Sequence, residues 1–186
     1  MGDTVSPSRG CTACGCGDFV VRRFERRRFL LFAAAGSLAA GLPSLAAAAS
    51  GEYEAMALTC IDPRFQAPVF HYLSRRGLTG KYSQFTIAGA AAGVVAPTFT
   101  DWHKAFWDNL AASVQLHRIK KVIVIDHRDC GAVRIAYGEA SIANKHSETR
   151  THRAILAEFR KQLAERQPAL IPETGLMDLD GTVLPL

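Results

Sequence analysis

The chain has 186 residues, with 22 Lys and Arg against 17 Asp and Glu, a formal net charge of +5 and 48% hydrophobic residues. Six of the basic and three of the acidic residues fall within residues 1–48, leaving 16 against 14 in the remainder. The high pI is therefore largely a property of the N-terminal stretch. With no basic stripe interleaved with aromatics, the rest gives no ground for nucleic-acid binding.

The first predicted element is a targeting segment. Arg26-Arg27-Arg28-Phe29-Leu30-Leu31 opens an Ala-rich apolar run to about Leu45, interrupted by Gly36, Gly41 and Pro43. Leu45-Ala46-Ala47-Ala48 then offers an A-x-A-like cleavage site. Basic residues, an apolar stretch and small residues, in that order, describe an export signal. Paired arginines before Phe-Leu narrow it to the twin-arginine type, with the bacterial periplasm as expected destination and the export machinery as partner. A membrane anchor is the competing reading, but the run is short of the roughly 20 residues a spanning helix needs. The expected division is a leader over 1–48 and one domain over 49–186, long enough for a single core.

Cys11, Cys14 and Cys16 fall in that leader with C-x-x-C-x-C spacing. They can bind metal, but they sit among Ser, Gly and Thr with no apolar pattern around them, so they read as part of an unstructured leader. The remainder keeps only Cys60 and Cys130. In an exported protein two cysteines read first as a disulfide. The competing reading, metal ligation, is favoured by the export route, because a protein that folds before export can take up metal in the reducing cytoplasm.

Downstream, strands and helices alternate. Tyr53 to Cys60 reads as a short apolar strand, and Phe65 to Arg76 as a helix stopped by Gly77. Tyr82 to Ala88 is a second strand, followed by a flexible run from Gly89 to Gly93. Thr100 to His117 is an amphipathic helix whose Trp102, Phe106, Leu110 and Val114 recur at intervals of four, a core stripe. Lys121 to Asp126 carries four consecutive β-branched residues, as buried parallel strands do. A helix starts near Gly131, another covers about Thr149 to Glu165, and Gly175 to Asp180 with Thr182 to Leu184 form a terminal strand and a turn back. The expected fold class is α/β, a mainly parallel sheet flanked by helices.

Two motifs directly follow the first and third strands: Thr59-Cys60-Ile61-Asp62-Pro63-Arg64 and Asp126-His127-Arg128-Asp129-Cys130-Gly131. Ligands of open α/β sheets bind beyond the carboxyl ends of strands. Two thiolates and an imidazole there make a three-ligand set suited to zinc, with a fourth position open for water and a zinc hydroxide as the expected working group. If residues 60–64 are extended, Cys60, Asp62 and Arg64 share one side. Arg64 can then hold Asp62 ionised, and Asp62 can accept a hydrogen bond from the hydroxide. A solvated ion pair at a strand end is the plain alternative. Cys130, near the start of a helix, is expected to be favoured as thiolate.

Cys60-x-Asp62-x-Arg64 followed by His127-x-x-Cys130-Gly131-Ala132-Val133 resembles the β-class carbonic anhydrases, and the similarity runs through most of residues 49–186. Gly89 to Val95 resembles the family's glycine bend, and Gly175 to Gly181 its closing strand and turn. The resemblance implies Cys60, His127 and Cys130 as zinc ligands and Asp62 with Arg64 as the catalytic dyad. It further implies carbon dioxide and bicarbonate as substrates and a homodimer or dimer of dimers with the site near the interface. Three positions depart from the family pattern: Pro63 where Ser is frequent, Asp126 where Gly is common, and Ala88-Gly89-Ala90 where asparagines are usual.

The expected function is zinc-dependent reversible hydration of carbon dioxide. The alternatives are hydrolysis of carbonyl sulfide or carbon disulfide on the same fold, or a zinc-holding or assembly protein without turnover. The remaining histidines, His71, His103, His117, His146 and His152, read as residues of solvated helix faces.

Overall fold

The computed structural model describes residues 51–186. The twin-arginine stretch and the Cys11, Cys14, Cys16 group lie outside the described residues. Among the described residues five strands make one sheet in the order β2-β1-β3-β4-β5. They are β1 (Ala55–Thr59), β2 (Tyr82–Thr86), β3 (Lys121–His127), β4 (Ile171–Met177) and β5 (Val183–Pro185). The first four are mutually parallel and β5 runs antiparallel to β4, so the sheet is mainly parallel, as the alternation of elements predicts.

Burial follows the two-residue period of the strands. Met56, Leu58, Val122 and Val124 join one core, and Ala55, Ala57, Ile123 and Ile125 join the other. The second core is covered by α1 (Gln66–Arg75) through Val69 and Leu73. The first is covered by α2 (Ala91–Val95), α3 (Thr100–His117), α4 (Gly131–Tyr137) and α5 (Lys145–Arg166). Phe106, Leu110, Leu156 and Phe159 are fully buried there, each contributing about 1.5–3 kcal/mol. Asn144 starts α5 with a reciprocal capping box: its carboxamide accepts from the Ser147 N–H while the Ser147 hydroxyl takes the Asn144 N–H.

Four expectations change. Gly89 to Gly93 is not a flexible run: Ala91–Val95 is a buried helix, and Gly93 is required there because a Cβ would lie 2.4 Å from the Ala88 carbonyl oxygen. Residues 63–65 form a 3-10 turn rather than an extended segment, with Asp62 as its cap. Strand β4 starts at Ile171, earlier than its apolar pattern suggests, because Lys121, Val122 and Ile123 of β3 supply partners for Ile171, Pro172 and Glu173. Trp102, at the start of the α3 stripe, is 40% exposed and stacks on Phe99 instead of entering the core.

Candidate metal centre

β1 and β3 are parallel neighbours, with Thr59 beside Ile125, so the residues leaving their carboxyl ends emerge together. The chain passes from β1 outward to β2 on one side, and from β3 outward to β4 on the other. A reversal of this kind opens the crevice where α/β sheets bind ligands. Cys60 follows β1, His127 ends β3, and Cys130 caps α4. One ligand atom from each lies within 4.8 Å of the others, and all three residues are buried. Both cysteines are free thiols rather than a disulfide.

The donor set fits a zinc ion. The His127 Nδ1–H donates to the Arg128 carbonyl at 2.8 Å, which leaves Nε2 with its lone pair. That Nε2 is buried and has no hydrogen-bond partner, an orphan that a metal ion would satisfy. The ring stacks on Phe65 with centroids 4.0 Å apart, which fixes its plane. The Gly89 N–H donates to Cys60 Sγ at 3.2 Å. A hydrogen bond with Cys130 pulls the Cys60 thiol down, against the opposing effect of burial. Cys130 is pushed up, first by that same hydrogen bond and then by burial. The lowering expected for Cys130 from its place at the helix start is outweighed by these two effects. A bound cation would deprotonate both.

Asp62 and Arg64 stand beside this cluster. Asp62 Oδ1 accepts from the Arg64 N–H and Nε, both at 3.0 Å, and Oδ2 accepts from Nη2 at 2.7 Å. These bonds hold the carboxyl down to about 2, so it is ionised throughout the ordinary pH range. Asp62 Oδ2 lies 4.0 Å from His127 Nε2, which places the carboxylate next to the position where a metal would sit. A cavity of about 290 Å3 opens onto Cys60, walled by Phe65, Phe70 and Tyr82 with Gln66 and Gln84.

Several supporting residues carry no role in the sequence reading. Asp129, with φ +53°, takes Arg64 Nη1 on its carboxylate at 2.7 Å and Nη2 on its carbonyl at 3.0 Å. Its N–H donates to Glu148, which also accepts from Arg128; Arg128 in turn bonds Asp178 and Thr149. The density of charge in Asp126-His127-Arg128-Asp129 was the available signal. His152 corrects an expectation outright. It is fully buried, not solvated, and its Nδ1 meets Asp126 Oδ2 at 2.8 Å.

Residues 50–162 match the family model described as "Putative carbonic anhydrase". An uncharacterized protein of Rickettsia conorii is 32% identical over 132 residues, covering 71% of each chain. One from Rickettsia bellii is 32% identical over 71% of this chain and 80% of its own. Among solved structures, this chain is similar to the β-carbonic anhydrase CafA of Aspergillus fumigatus. The identity is 16%, coverage is 75% of this chain and 77% of that one, and the TM-score is 0.49. Tetrameric β-carbonic anhydrases of Sordaria macrospora give 14% identity, 75% and 83% coverage, and a TM-score of 0.49. The family match spans well over half of the chain, and on it this protein belongs to the carbonic anhydrase-like family that the model describes.

Proposed function

We propose that this protein is a zinc-dependent carbonic anhydrase that interconverts carbon dioxide and bicarbonate. The observation that carries the reading is the convergence of Cys60, His127 and Cys130 within 4.8 Å beside an Arg-held carboxylate 4.0 Å from the orphaned His127 Nε2. Zinc, when bound, supplies the Lewis acidity that brings the ionisation of a water to about pH 7.

The chain's own groups do the rest. Cys60 and Cys130 supply two negative charges and His127 a neutral nitrogen, a donor set that leaves one position for solvent. Asp62, ionised and fixed by Arg64, accepts a hydrogen bond from the reacting water and orients its lone pair toward the substrate carbon. Because both Asp62 oxygens are engaged by Arg64, the carboxylate is kept from taking the solvent position itself. The cavity beside Cys60 has a mixed lining, with Phe65, Val69 and Phe70 as its apolar part and Thr59, Gln66, Gln84 and Thr86 as its polar part. Assembly as a homodimer or dimer of dimers, and export to the periplasm by the twin-arginine route, complete the proposal. Family resemblance supports the first, and the Arg26-Arg27-Arg28-Phe29-Leu30 pattern supports the second.

Stopped-flow hydration by zinc-loaded protein tests the activity, with carbonyl sulfide and carbon disulfide as parallel substrates. Carbon dioxide turnover well above the buffer rate is expected. Turnover of the sulfur compounds alone would reassign the substrate. Stoichiometric zinc with no turnover of any of the three would make this a metal-holding protein instead.

A further inference from the structure

Asp126 and His152 are charged or polar groups with no part in the chemistry above, yet both are completely enclosed, with side chains 0% exposed. Burying a carboxylate is costly unless donors satisfy it. Asp126 has two: the Ala91 N–H at 3.0 Å on Oδ1 and His152 Nδ1 at 2.8 Å on Oδ2. It thereby joins three elements, the end of β3 that carries His127, the turn entering α2, and the middle of α5.

The turn is the informative partner. Ala90 has φ +46° and ψ −109°, a backbone region that glycine adopts readily and alanine does not. On one side of Ala90 the Asp126 carboxylate grips the Ala91 N–H, and on the other the Gly89 N–H points at Cys60 Sγ. Gly89 itself has φ +81°, and a Cβ there would lie 3.1 Å from the Ala132 methyl and 3.2 Å from the Ala92 methyl, so the turn has no space for a side chain on that side. A strained residue persists only where its surroundings over-determine it. Here the carboxylate, anchored by His152, supplies that constraint.

We propose that Asp126, backed by His152, is a positioning residue for the metal centre: it holds the 89–91 turn so that the Gly89 N–H stays on the Cys60 sulfur. That hydrogen bond withdraws electron density from the thiolate and fixes its direction, which tunes its strength as a metal ligand. Partners of this outer kind change metal affinity by roughly 10–100-fold when removed. The inference rests on reading Cys60, His127 and Cys130 as metal ligands. It involves the hydrogen bonds of Asp126 and not its titration.

Cobalt(II) loaded into the full chain provides a direct readout, because thiolate-to-cobalt charge-transfer absorption reports on the sulfur. In Asp126→Ala the turn is released, the sulfur becomes a better electron donor, and the band moves to longer wavelength. Cobalt affinity, measured by chelator competition, falls about 10-fold or more, because the sulfur is no longer held in the ligating direction and its thiol is harder to deprotonate, losses that outweigh its gain in donor strength. Asp126→Asn should stay near the unaltered chain in both, since its amide oxygen can accept from Ala91 and its amide nitrogen can face a His152 nitrogen lone pair. If Asp126→Ala does not fold, His152→Ala takes its place, with a smaller shift in the same direction. An unmoved band and unchanged affinity in the alanine variant overturn the inference, as does an Asn variant as damaged as the Ala variant. Absence of any sulfur-to-cobalt band in the unaltered chain overturns the metal reading itself and this inference with it.

Discussion

Arg64 Nη1 donates to Asp129 Oδ2 at 2.7 Å across 65 residues of sequence. This bond and the one to the Asp129 carbonyl tie the loop after β1 to the loop after β3, the two loops that supply the candidate ligands. Arg64 is therefore held on both sides, by Asp62 through Nε and Nη2 and by Asp129 through Nη1 and Nη2. Asp129 is held in turn, since its N–H rests on the Glu148 carboxylate.

Asp129→Ala removes the carboxylate that takes Arg64 Nη1 while leaving the bond to the residue 129 carbonyl and the bonds to Asp62 in place. The expected result is zinc content near that of the unaltered chain and carbon dioxide hydration lower by about 10-fold, at the weak end for a supporting group. Zinc analysis and stopped-flow rates on the same preparation check it; an unchanged rate would show that Asp62 and the residue 129 carbonyl suffice to fix Arg64.

Cys130→Ala removes one thiolate from the proposed three-ligand set. The unaltered protein should hold about one zinc per chain, and the variant should lose most of it. Native mass spectrometry under non-reducing conditions reads both quantities. A folded, metal-free chain with a Cys60–Cys130 disulfide would contradict the expectation.

Asp62→Asn keeps the shape of the side chain and removes its charge. Hydration should fall by roughly 10²-fold or more, in the range for a positioned polar catalytic group, with zinc retained. Arg64→Ala should cost at least as much, because the released carboxylate is then free to occupy the solvent position. Full activity in Asp62→Asn would remove the dyad from the mechanism.

Gly93→Ala tests the packing behind the site. The added Cβ would meet the Ala88 carbonyl oxygen at 2.4 Å and the Ile87 side chain at 3.1 Å, so the backbone beside Gly89 must shift. Overpacking of this kind costs about 1–3 kcal/mol, a fall of several degrees in Tm. Thermal unfolding followed by circular dichroism measures it.

Replacing Arg26 and Arg27 with Lys should leave the precursor inside the cell, because the twin-arginine route reads paired guanidinium groups. Fractionation with an antibody to the protein separates precursor from processed form. Normal processing of the double-Lys form would rule this route out.

Local periodicity was enough to place some of this protein. Helix α3 runs from Thr100 to His117 as its four-residue apolar spacing indicates, and β3 follows its run of Val and Ile. These signals are legible because burial of one face leaves a repeating imprint on neighbouring residues. The motif residues Cys60, Asp62, Arg64, His127 and Cys130 were likewise visible as chemistry, by residue type and by position after strands.

What only the tertiary structure decided depends on partners far away in sequence. Residues 89–93 look like a loop from their Gly and Ala content, yet 91–95 is a buried helix because Gly93 packs against Ala88 and Asp126 clamps the Ala91 N–H. His152 looks like a surface residue among charged neighbours in α5, and is buried because its partner is a carboxylate 26 residues earlier. Nor does the sequence disclose that Asp129 reaches back to Arg64, or that the Gly89 N–H rests on Cys60 Sγ. Hydrogen bonds between elements are short-ranged in space and leave no period along the chain, so they become readable only when the sheet order has set β1 and β3 side by side.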